Sequence, residues 1–182
     1  MATAVQPFAG TYELDTAHST VQFGIRHQQI ATFRASFVEL EARLTADDDT
    51  IALAGEARAE SVSISGAPEF REHVVRGADF FDADMHPVIS FRSTRVELED
   101  DGTTEVSGEL TIRGATHPIT AYGTYEPPRE DPSGNHRAGF ELRATLDRRT
   151  WGMSWQMPLP DGRDALGWDV EITAQLELVK AD

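Results

Sequence analysis

Apolar residues recur at every second position along most of the chain, the mark of strands with one buried face. Val21, Phe23 and Ile25 alternate with Gln22, Gly24 and Arg26, and Phe33, Ala35 and Phe37 alternate with Arg34 and Ser36. The apolar phase then moves to Leu40, Ala42 and Leu44, and a phase jump within one strand predicts a bulge or a sharp bend. Ile51, Leu53, Gly55 and Ala57 form a lighter strand that runs toward Val62 and Ile64. Val88 to Leu98 precedes Glu99-Asp100-Asp101-Gly102, whose Asp-Gly pair supplies the positive φ of a tight hairpin. Val106, Gly108, Leu110 and Ile112 lead through a turn over Gly114 to His117 into a strand from Ile119 to Tyr125. The proline- and charge-rich run Pro127 to His136 reads as an exposed loop. Phe140, Leu142, Ala144 and Leu146 share one face, and Trp168, Val170, Ile172, Ala174, Leu176 and Leu178 end the chain with the same rhythm.

One stretch departs from this period. Phe70 and Val74 fall four apart, with Gly77 as a stop signal one turn later, which predicts a short helix. Phe80 and Phe81 follow, ringed by Asp79, Asp82 and Asp84. The aspartates are expected to cap the helix exit while the two phenylalanines plug apolar space. His86-Pro87 then introduces the strand near Val88.

About eight strands with one apolar face each must hide that face, as a sandwich or as a closed barrel. Phase changes in long strands favour strong coiling and closure. No internal repeat or linker interrupts the pattern, so residues 1–182 are expected to form a single domain. A chain of this length can bury roughly 70% of its unfolded surface.

Charge narrows the partners. The 16 Lys and Arg against 31 Asp and Glu leave a net charge of −15. That argues against nucleic acid, whose phosphates need a cationic counterface, and against electrostatic docking on anionic lipid. There is no cysteine, so thiol chemistry is excluded. Met1 to Gly10 lacks the features of a secretory signal, and no stretch approaches the ~20 apolar residues of a membrane span. A cytoplasmic protein without stable membrane insertion is the expectation.

Motifs of familiar chemistry are missing. No HExxH, glycine-rich phosphate loop or GxSxG is present, and Asp47-Asp48-Asp49 and Asp79 to Asp84 lack the spacing of an EF-hand loop. No metal site and no catalytic residue is therefore assigned. His86-Pro87 and His117-Pro118 are read as surface hydrogen-bonding residues at turns. His18-Ser19 is read as a structural hydrogen bond to a neighbouring loop. Neighbours on a strand point to opposite faces, so this pair is not a nucleophile and base.

The apolar face itself is the candidate site. Phe23, Ile25, Phe37, Leu53, Leu110, Ile112, Phe140, Leu142, Val170 and Ile172 are candidate lining positions, with core filling as the alternative. Ala35, Gly55, Ala57, Gly108, Gly123, Ala144 and Ala174 sit in phase with them and leave volume that a guest or close packing must take. Phe70, His73, Val74 and Phe81 belong to the helical stretch, and His73 is the candidate for touching a head group. Trp151, Met153 and Trp155 alternate in phase, which predicts strand packing at the barrel end, with ligand contact as the alternative.

Four motifs in order resemble the YceI-like family. They are Tyr12-Glu13-Leu14-Asp15 with His18-Ser19-Thr20-Val21 and His27; His73 to Gly77 with Asp79-Phe80-Phe81-Asp82 and His86-Pro87 through Ser93; Val106 to Gly114 with His117-Pro118-Ile119; and Arg149 with Trp151-Gly152-Met153-Ser154-Trp155. The resemblance covers almost the whole chain. It implies an all-β, antiparallel, eight-stranded lipocalin-like barrel with one short helix covering a mouth. It also implies a polyisoprenoid or isoprenoid quinone held in the interior as the bound group, with no other cofactor. The expected function is a non-catalytic carrier of such a hydrophobic small-molecule or lipid ligand, and the pattern leaves room for a homodimer. An enzyme acting on a small hydrophobic substrate and a stress-linked interaction protein are the alternatives.

Overall fold

The computed structural model describes residues 6–181. The alternating stretches form β1 (Gly10–Leu14), β2 (Thr20–His27), β3 (Ala31–Phe37), β4 (Leu40–Ala46), β5 (Ile51–Arg58) and β6 (Val62–Ser63). The helix α1 (Pro68–Arg76) follows, then β7 (Val88–Leu98), β8 (Thr103–Ile112), β9 (Ala115–Glu130), β10 (His136–Asp147) and β11 (Leu166–Lys180).

These strands close on themselves. β11 pairs with β10 along one edge, while its other edge takes β1 and β2 in succession, with Leu14 opposite Leu178 and Ile25 opposite Val170. β1 and β2 thus act as two halves of one interrupted strand, and β3 and β4 do the same against them. The ring continues β4, β5, β7, β8, β9, β10, every neighbour antiparallel. The result is the expected eight-stranded antiparallel barrel. Closure covers most of the strand edges that would otherwise invite pairing with another chain.

The phase jump between Phe37 and Leu40 is a corner. Ser61, in a short 3-10 turn before β6, accepts the backbone N–H groups of Val38 (3.2 Å) and Glu39 (3.0 Å) on its Oγ and donates to Arg58 O (2.7 Å). One hydroxyl therefore satisfies the donors that the bend strips from the ladder. The Glu99–Gly102 hairpin is present, with Gly102 at φ 84°.

Three expectations about strands and their turns need correction. Pro127 to Glu130 is not loop: β9 runs through it, and a bulge near Arg137 absorbs the two prolines, which cannot donate to a regular ladder. Only Asp131 to Asn135 turns, with Asp131 accepting backbone N–H groups from Ser133 and Asn135. The β8–β9 turn is confined to Arg113 and Gly114, both at positive φ, so His117 and Pro118 lie within β9. Lastly, Arg148–Trp151 is a 3-10 turn ended by Gly152 at φ 73°, so Trp151, Met153 and Trp155 are not on a strand.

Pro68 starts α1 at its first turn, where a missing N–H costs nothing. Glu72 and Arg76 pair one turn apart at 2.9 Å. The exit is closed by backbone, not by aspartate side chains as expected: Phe81 N–H donates to Val74 O (3.2 Å) and Ala83 N–H to Val75 O (2.9 Å). This folds the Phe80-Phe81 segment back beneath the helix.

The interior separates into two apolar clusters. One lies under α1 and contains Val74, Val75, Phe81, Leu110, Ile112, Trp151 and Val170. The other fills the opposite end with Phe8, Tyr12, Leu44, Leu98, Tyr125, Phe140 and Leu178. Phe91 packs against both.

Candidate functional site

Between α1 and the far cluster the barrel encloses a cavity of about 570 Å³. Its upper wall carries Phe70, His73 and Val74 from α1, Phe80 and Phe81 from the segment behind it, and Met153 and Trp155 from the segment after the 3-10 turn. Its middle is lined by Phe23, Ile25, Phe37, Leu110, Ile112, Val170 and Ile172, and its depth by Leu53, Val106, Leu142 and Leu176. The alternation of β2, β5, β8, β10 and β11 points these side chains inward.

Aromatic rings frame the upper part. Phe23, Phe37 and Phe81 form a triangle with centroids 5.8–5.9 Å apart. Phe80 stacks on Trp155 at 5.6 Å, and His73 stands edge-on to Phe80 at 5.2 Å. Phe70 meets Phe33 at 6.1 Å and is 46% exposed, which places it on the rim.

Two of the sequence candidates lie outside the cavity wall. Phe140 is 3% exposed and stacked on Phe8 at 5.7 Å, in the far cluster. Trp151 is 4% exposed, donates its indole N–H to Leu110 O (3.1 Å) and packs edge-on to His117 at 5.3 Å. His117 is half-buried, and its ring packs on Trp151 instead of making a side-chain hydrogen bond at a turn. The small residues also divide. Gly55, Ala57, Ala144 and Ala174 border the cavity. The Phe91 ring fills the space beside Gly108, and the Glu141 carbonyl approaches Gly123 so closely that a Cβ there would overlap it.

Beyond the candidate lining positions, the wall also takes Phe33, Phe80, Phe91 and Leu146, and above all Arg148. The sequence motif drew attention to Arg149, which is exposed and bound to Asp147 at 2.5 Å. Arg148 is the buried one, at 2% exposure. It donates from Nε to Gly167 O (2.8 Å), from Nη1 to Met153 O (2.6 Å) and from Nη2 to Trp155 O (2.8 Å), with Trp168 stacked at 4.1 Å. Burial lowers its pKa from the ordinary arginine value, opposed by the charges of Asp147 and Asp164. Two carbonyls of irregular chain and one of β11 are thereby paired, and the segment bearing Met153 and Trp155 is clamped against β11.

The remaining polar groups of the wall are few. His73, exposed on α1 at the rim, makes no side-chain hydrogen bond among the described residues, His27 lies toward the same mouth, and Glu41 and Glu56 lie at the waist. On the outer face, Asp15, His18 and Glu177 converge closely enough to suggest a metal site. Arg137 already occupies it, donating from Nη1 to Asp15 (2.7 Å) and Glu177 (2.6 Å) and from Nε to Asp131 (2.7 Å). Those bonds hold the carboxyls of Asp15 and Asp131 well below the usual range. His18 bonds Asp15 within its own turn (3.0 Å), and Ser19 Oγ accepts Glu177 N–H (2.9 Å), so the pair is structural.

A closed antiparallel barrel with a helix over one mouth and an apolar interior is a lipocalin-like binding architecture. Matching of known family models places residues 12–178 in the YceI-like domain, and the chain belongs to that family. Curated relatives include a UPF0312 protein of Vibrio cholerae, 29% identical over 153 residues (81% of each chain). Another is a UPF0312 protein of Pseudomonas putida, 30% identical over 160 residues (84% of this chain, 81% of that one). Among solved structures, Burkholderia cenocepacia BcnA superposes with TM-score 0.72 at 20% identity, covering 90% of this chain and 98% of that one. A polyisoprenoid binding domain from Saccharophagus degradans does so with TM-score 0.70 at 12% identity, covering 93% and 98%. No helix among the described residues is long and apolar enough to cross a membrane.

Proposed function

We propose that the protein binds and carries a long isoprenoid, such as an isoprenoid quinone or polyprenyl compound, without transforming it. The observation that carries this reading is the cavity wall, which is predominantly apolar from the helix to the far cluster and shows no hydrogen-bonded acid and base among the described residues. His73 stands edge-on to Phe80 with no carboxylate bonded to it among the described residues, so it lacks the oriented partner of an acid–base pair. A polyisoprenoid binding domain of the same fold supports the choice of guest.

Magnitudes agree with reversible carriage. Burying on the order of 600 Å² of prenyl surface yields ~15 kcal/mol gross at about 25 cal/mol/Å². Lost translation and the freezing of a flexible chain remove a large share of it. What remains suits tight binding without any charged partner. Organic extraction of freshly purified protein, followed by mass spectrometry, is expected to release a prenyl lipid in near-stoichiometric amount. Extracts that repeatedly lack any lipid, together with no uptake of added prenyl quinone, would overturn the reading.

A further inference from the structure

The barrel wall is not continuous. β1 and β4 pair as far as Glu13 and Arg43, and β2 and β3 begin with Val21 and Phe37; no pair spans the interval between them among the described residues. The gap has a physical cause. Asp15 to Ser19 leaves the β4 side and is fastened to β11 instead, through Asp15 N–H to Glu177 O (2.9 Å) and the Ser19–Glu177 bonds. Arg137 locks the Asp15 carboxylate to Glu177. β4 bends away at its corner with β3. An outer recess of about 410 Å³ lies over this gap, and Leu14, Leu40, Ala42 and Gly55 border both the recess and the inner cavity.

We infer that this gap is a lateral portal through which the tail of a long isoprenoid leaves the barrel. The inference rests on the carrier reading above and says where the guest runs. Phe8, Tyr12, Tyr125 and Phe140 close the far end and none of them borders the cavity. The inner volume is that of a pocket for a drug-sized molecule, so a polyprenyl tail of many units outgrows it. It must therefore emerge, and Leu14 and Leu40 with the small residues Ala42 and Gly55 offer an apolar way through the wall. The ends of the route differ in charge. Glu41 and Glu56 stand directly opposite each other at the portal with no ion-pair partner among the described residues. They disfavour an anionic head there, whereas the ionisable wall groups toward the helical mouth are His27, His73 and Arg148. The head accordingly stays under α1 and the tail leads out at the waist.

The test uses delipidated full-length protein and two prenyl quinones with the same head, one short-tailed and one whose tail exceeds the barrel interior. The long-tailed probe carries a photoreactive diazirine at its tail terminus. Irradiation and peptide mapping are expected to place the label on Leu14–Thr16 or Leu40–Arg43. Thr16→Trp, on the exposed rim of the recess, is expected to weaken the long-tailed quinone about tenfold and leave the short-tailed one unchanged. Labels at Leu44, Phe140 or Leu178, or at Phe70 on the mouth, overturn the portal, as does wild-type rejection of the long tail with uptake of the short one. Failure of both quinones to bind sinks the carrier reading itself, and the portal with it.

Discussion

The two ends of this barrel are built on the same alternation of apolar and polar residues, yet one is solid and the other hollow. At the far end Phe8, Tyr12, Tyr125 and Phe140 interlock with centroids 5.7–6.3 Å apart, and Leu44 and Leu178 are fully buried. Under α1 the rings stand around a space instead of across it, and Ala144, Ala174 and Gly55 replace bulk along the wall. Phase tells which side chains point inward. Their size, and what enters from outside the strands, decides whether the inside is full. The far end receives Phe8 from the segment before β1, whereas the other end receives a helix that lies over the space as a cover.

The contrast can be broken most sharply at the plug. Phe140→Ala should destabilise the protein by about 3–5 kcal/mol, read by denaturant unfolding, because its removal opens a void in a packed cluster. Phe81→Ala, at the hollow end, should cost no more than about 3 kcal/mol, since one side of its ring already lacks neighbours to lose. Equal losses at the two sites would erase the distinction. Arg148→Met comes next: the three carbonyls it pairs are left partly unsatisfied, for about 2–3 kcal/mol, and the change should loosen Trp155, seen as a shift in tryptophan emission.

The outer ion cluster gives a smaller, pH-dependent effect. Hydrogen bonds from Arg137 depress the carboxyls of Asp15 and Asp131 relative to the unfolded chain. A depressed carboxylate contributes stability above its unfolded pKa of about 4 and loses it as pH falls through the folded value. Melting temperatures of wild type and Arg137→Gln should therefore differ most near neutral pH and converge as pH drops below about 4. A gap of constant size down to strongly acid pH would contradict this. The smallest effect is expected for His73→Ala, which should alter stability by under about 0.5 kcal/mol and leave binding of a headless hydrocarbon chain unchanged.

Much of this was legible in the sequence because burial on one face forces a period of two. The strands, the corner after Phe37, the Asp101-Gly102 hairpin and the helix at Phe70 follow from local spacing alone. What stayed hidden depends on contacts between distant segments. Trp151 to Trp155 mimics a strand pattern, but Gly152 and the Arg148 clamp impose another path. Adjacent Arg148 and Arg149 look alike until one is seen inside and the other paired with Asp147. Phe140 has the phase of a wall residue, and only the arrival of Phe8 makes it a plug. Nor does alternation reveal that β1 and β2 share one edge of β11 with a gap between them.

A titration of delipidated wild type and Leu142→Trp with a prenyl quinone, followed by quenching of tryptophan fluorescence, bears most directly on the hollow interior. Leu142 is 6% exposed and lies at the depth of the cavity, where an indole would occupy the guest's path. Saturable one-to-one binding to wild type, weakened about tenfold or more (roughly 1.4 kcal/mol) in a variant that still unfolds cooperatively, is the predicted result. Equal affinity in the two proteins would place the quinone elsewhere and contradict the account.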